Sequence, residues 1–139
     1  MISLNSIIFN GMDATRIDVQ VQLVSGLAKP EFNIIGLADR AVKESAERIR
    51  NALSALNLSL PERVLTVNLA PADIEKSGSH FDLPILCGIL CAMGILPEQE
   101  ITKYVIIGEI GLDGAIVRTG GSESKNICCT VSDNESNSN

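Results

Sequence analysis

"TVNLAPADIEKSGSHFDLPILCGIL", Thr66 to Leu90, passes from a strand through a polar loop into an apolar helix. Its start belongs to "ERVLTVNLA", whose β-branched and aliphatic side chains predict an inner strand. "PADIEKSGSH" has the composition of a loop. Leu83 to Met93 is apolar nearly all round, and a helix of that kind is buried. Asp82 is placed to cap it, Pro84 suits its first turn, and Gly94 can end it in the left-handed conformation. A loop opening a buried helix can cradle phosphate, carry a serine nucleophile, or simply turn a corner.

Upstream, "SLNSIIFNGMDATRIDVQVQLVSG" reads as a hairpin. Asn10-Gly11 is a strong turn signal, because both central residues of a type I′ turn need positive φ. Ile17, Val19, Val21 and Leu23 then alternate with Arg16, Asp18, Gln20 and Gln22, the pattern of a strand with one wet face. "EFNIIGL" is a short third strand ended by Gly36. Asp39 to Leu56 is the clearest helix: Val42, Ala46, Ile49, Leu53 and Leu56 form one apolar stripe. Glu44 and Arg48 make an i,i+4 pair contributing about 0.3 kcal/mol. Arg40, Lys43 and Arg50 add positive charge to its wet face, read as a solvated surface.

Downstream, "KYVIIGEI" is a strand, and Asp113-Gly114 turns into a last strand, "AIV". The order β-β-β-α-β-α-β-β predicts an α+β fold, with two main helices packed on a mostly antiparallel or mixed sheet. Composition changes abruptly at Gly120-Gly121. Residues 1–121 read as one domain and 122–139 as a polar, disordered tail rich in Ser and Asn.

A chain of 139 residues favours one domain with one core. Aromatics are only 3%, without Trp, so the core is aliphatic and no stacking platform for single-stranded nucleic acid is visible. The net charge of -6 argues against this chain alone coating DNA or an anionic membrane. No apolar run of about 18 residues occurs, so no membrane span is expected. The start lacks a basic leader and an apolar signal core, which makes the cytoplasm the expected compartment. Cys87 and Cys91 read as buried reduced thiols. Adjacent Cys128 and Cys129 lie in the polar tail, and a single His without a CxxC offers no zinc site.

No G-x-x-x-x-G-K-[ST] and no G-x-G-x-x-G occurs in the sequence. Amides near Gly78 and Ser79 precede a helix N-terminus, which favours anions, but the Asp82 carboxylate would repel a phosphate. Ser77 and Ser79 are candidate nucleophiles with His80 or Lys76 as base, and Asp73, Glu75 or Asp82 could orient that base. The competing reading is a solvated loop leading to a capped helix, with His80 exposed or half-exposed.

"FNIIGLADRAVKESAERIRNALSALN", "TVNLAPADIEKSGSHFDLPILCGIL" and "IGEIGLDGAIVR", in this order, resemble the N-terminal region of magnesium-chelatase-related AAA+ ATPases of the ComM/YifB type. The likeness covers Ile2 to Arg118. It implies a Lon-protease-like domain, the fold of a ribosomal small-subunit protein domain and of sugar-kinase-type enzymes. An ATPase module with a P-loop follows in full-length members, so ATP and Mg are expected of that module alone. The family is implicated in ATP-dependent DNA branch migration during natural transformation, as hexameric rings.

Lon-type peptidases carry their serine in a loop reading roughly K-D-G-P-S-A-G. On that resemblance the serine position falls on His80 and the catalytic lysine position on Glu123, with Lys125 two residues on. Neither member of the dyad is present. The chain is therefore expected to be a non-catalytic Lon-like domain or truncated remnant, with no catalytic, cofactor-binding or metal residue. Self-association through an uncovered interface is expected. DNA contact rests on the resemblance and finds no support in the net charge. The alternatives are a small Lon-like serine peptidase and a phosphate- or nucleotide-binding module.

Overall fold

A computed structural model describes residues 1–25, 29–111, 113–117 and 130–131. Strands β1 (Ile2–Asn10) and β2 (Asp13–Val24) form the long antiparallel hairpin that alternation predicts. The turn sits one residue further on than expected. Asn10 pairs with Asp13, so Gly11 and Met12 are the loop, and of these only Gly11 has positive φ, at 67°. That is the glycine-first arrangement used by type II′ hairpins.

Strand β3 (Glu31–Ile35) runs parallel to β4 (Val64–Ala70), and β4 runs antiparallel to β2. Strand β5 (Tyr104–Val105) joins β1 in parallel, and β8 (Thr130–Val131) lies antiparallel beyond it. The mixed sheet has the order β3-β4-β2-β1-β5-β8. β4 is an inner strand, as its composition predicts.

The segment "KYVIIGEI" is not one strand. After β5 the chain leaves the sheet and resumes as β6 (Glu109–Ile110), which pairs with β7 (Ile116–Val117). Ile106 N–H still donates to Asn5, but Gly108 donates to the His80 carbonyl and accepts from Leu83 N–H. The backbone is drawn towards the start of the buried helix, away from the sheet.

Asp39 caps α1 (Arg40–Lys43), its carboxylate accepting from Val42 N–H at 2.8 Å. α2 (Ser45–Ala55) follows at once. The single helix expected over 39–56 is thus interrupted at Glu44. There the Ala41 carbonyl, which a regular helix would offer to Ser45 N–H, accepts from Arg48 Nη2 at 3.1 Å. Asn57 in the left-handed region ends α2, with Leu58 N–H returning to Leu53 O at 2.8 Å. Val42, Ile49 and Leu53 are fully buried, whereas Leu56, at the end of the stripe, is 51% exposed.

α3 (Asp82–Ala92) packs across β1 and β2. A Cβ added at Gly88 would lie 2.5 Å from Val21 Cγ2, so the absent side chain lets helix and sheet approach. Gly94 follows with φ 78°, as expected for the helix end. A short α4 (Glu98–Ile101), not anticipated, leads to β5.

The core lies between the helices and one sheet face, and is aliphatic apart from Phe81. The other face is polar: Asn68 donates to Gln20, Gln20 to Asp18, and Ser3 to Asp18. Cys91 is buried, which pushes its thiol pKa up, and Cys87 is half-buried. Cys128 and Cys129 lie outside the described residues, as does the expected tail except Thr130–Val131. Among the described residues no helix is long and apolar enough to cross a membrane.

Candidate functional site

The loop from Pro71 to Phe81 links the inner strand β4 to the buried helix α3. Its first peptide, Ala70-Pro71, is cis. Lys76, one of the two candidate bases, lies wholly buried and not in the solvated loop of the competing reading. Its Nζ donates to the Gly36 carbonyl at 2.7 Å and to the Pro71 carbonyl. Its backbone bonds Leu37 and Asp39 as an isolated bridge beside Ala38. Burial lowers its pKa, with Asp73 partly opposing the shift.

This lysine fixes the turn after β3. Gly36 there has φ 107°, and a Cβ on it would stand 2.2 Å from the Leu69 carbonyl oxygen. Only glycine fits that approach. Leu37 follows with φ 53° and is 54% exposed.

Ser77 is exposed beside an open groove of about 450 Å³ lined by Ile8, Thr15, Ile74 and Glu75. Ser79 donates its hydroxyl to Glu109 on β6. His80 is half-buried, with Nε2 3.0 Å from the Ile7 carbonyl and its ring centroid 4.2 Å from that of Phe81, the planes tilted by 35°. Burial lowers its pKa, against smaller opposing effects of the Ile7 carbonyl and Asp82. The candidate bases and nucleophiles therefore face different partners. Lys76 turns to one side of the loop, His80 to β1, and Ser79 to β6. Asp73 and Glu75 are exposed. Glu123 and Lys125 lie outside the described residues.

Asp82 departs most from its sequence reading. Phe81 occupies the cap position, and no side chain caps α3. Asp82 lies inside the first turn, fully buried. Its carboxylate accepts Arg48 Nε at 2.6 Å, Arg48 Nη2 at 3.0 Å, Ile110 N–H at 3.1 Å, and the Ser45 hydroxyl. Ion pairing to Asp82 raises the Arg48 pKa, against burial. One carboxylate thus joins α2, α3 and β6. The i,i+4 contact of Arg48 with Glu44 exists, but at 3.8 Å it is secondary.

The start of α3 offers no open anion cradle. Asp82 N–H donates to Ser79 O and Leu83 N–H to Gly108 O, while Pro84 has no N–H. Arg48, Ser45 and Glu109 were not found by sequence reasoning as parts of this cluster. An acid beside a continuous apolar helix needs a buried cation, and that was the available signal.

The sequence that builds this geometry matches known proteins. The chain is 39% identical over 106 residues to competence protein ComM of Haemophilus influenzae, covering 76% of this chain and 20% of that protein. It is 36% identical over 114 residues to YifB of Escherichia coli, covering 82% of this chain and 22% of that protein. It is 32% identical over 111 residues to a Mycobacterium bovis protein, Mb2921c, with 80% and 22% covered. The chain thus spans about a fifth of the length of these relatives. The family described as subunit ChlI of Mg-chelatase matches residues 19–135. The strand, cis-proline loop and Asp82-anchored helix lie within that match, and the chain belongs to this Mg-chelatase-related family with ComM and YifB among its relatives.

Proposed function

We propose that these residues form a Lon-like, non-catalytic domain of a ComM/YifB-type protein, a packing and assembly module beside an ATPase. ATP and magnesium belong, on this reading, to the ATPase module of such proteins. The observation that carries the proposal is the state of the loop: Lys76, Ser79, His80 and Asp82 are each held by structural partners. A Ser-Lys peptidase needs its lysine amine within hydrogen-bond reach of the serine hydroxyl. Lys76 Nζ is instead enclosed by two backbone carbonyls. The phosphate-binding reading loses support for a similar reason, since the first amides of α3 already have acceptors.

One contact favours the peptidase alternative. Ser79 donates to a carboxylate, as a nucleophile does to its base. A fluorophosphonate probe tests this directly. No covalent label is expected on the native chain. Labelling that disappears in Ser79→Ala would reverse the assignment to a peptidase.

The relative from Haemophilus influenzae is named a competence protein. We place this chain in the same process, in DNA branch migration during transformation, as a module that does not itself grip DNA. Deleting these residues from a full-length relative is expected to lower transformation frequency while leaving an isolated ATPase module able to hydrolyse ATP. Unchanged transformation would remove the assignment.

A further inference from the structure

We draw no further inference here: the strongest candidate, the open groove of about 450 Å³ between the end of the β1–β2 hairpin and the loop carrying Ile74, Glu75 and Ser77, has Glu75 as the one charged group among its described lining residues, and nothing in the structure shows what covers it.

Discussion

At the scale of single residues, Asp82 is the strongest determinant of the site. Its carboxylate is fully buried and holds a guanidinium whose side chain is only 21% exposed. Asp82→Ala leaves that cation buried without its partner, which costs about 3–5 kcal/mol. Urea unfolding checks the figure. Arg48→Met should also destabilise, and the double variant should cost less than the sum, because the second change removes the stranded charge. A strictly additive cycle would show that the pair is not coupled.

His80 makes a second prediction at this scale. Burial holds its folded pKa below the ordinary 6.5, so the unfolded chain binds a proton more readily. Its contribution to stability is fully present above about 6.5 and is lost as pH falls from there through the folded pKa. Urea midpoints between about pH 7.5 and 5.5 should decline, and His80→Gln should flatten that slope. An identical slope in the variant would place the titration elsewhere. The residue types of this loop were legible in the sequence, but their partners were not. Lys76, Ser79 and His80 are neighbours along the chain, yet they meet Gly36, Glu109 and Ile7 from three other segments.

At the scale of elements, the packing of α3 on β2 turns on Gly88. Alanine there would gain about 1 kcal/mol of helix propensity. Its methyl would meet Val21 Cγ2 at 2.5 Å, on a fully buried β-branched side chain with little freedom to turn away. Overpacking of this kind costs about 1–3 kcal/mol. The contact is close enough for the loss to win, so Gly88→Ala should lower the thermal midpoint. A raised midpoint would mean that helix and sheet separate easily.

The apolar stripe of the first helical stretch was readable from spacing. Its break at Glu44 was not, because it depends on Arg48 reaching back to the Ala41 carbonyl. The division of "KYVIIGEI" has a similar cause. Each half has strand composition, but the His80 carbonyl and Leu83 amide claim Gly108 between them.

At the scale of the whole molecule, net charge makes the prediction. With -6 overall, the isolated chain should leave the anisotropy of labelled duplex DNA unchanged at about 0.15 M salt. Saturable binding that weakens with added salt would reveal a basic footprint that the composition conceals.

Local chemistry determined much here. Alternation set the β1–β2 hairpin, an apolar run set the buried helix, and the motif order pointed to the family. Those signals act within a few residues, through backbone preference and the exclusion of apolar side chains from water. Tertiary structure alone decided that Asp82 is a buried anchor and not a cap, that Lys76 is enclosed by carbonyls, and that β4 lies between β3 and β2. Each of these depends on which distant segment arrives to supply a donor, an acceptor or a neighbouring strand, and spacing along one chain does not encode that arrival.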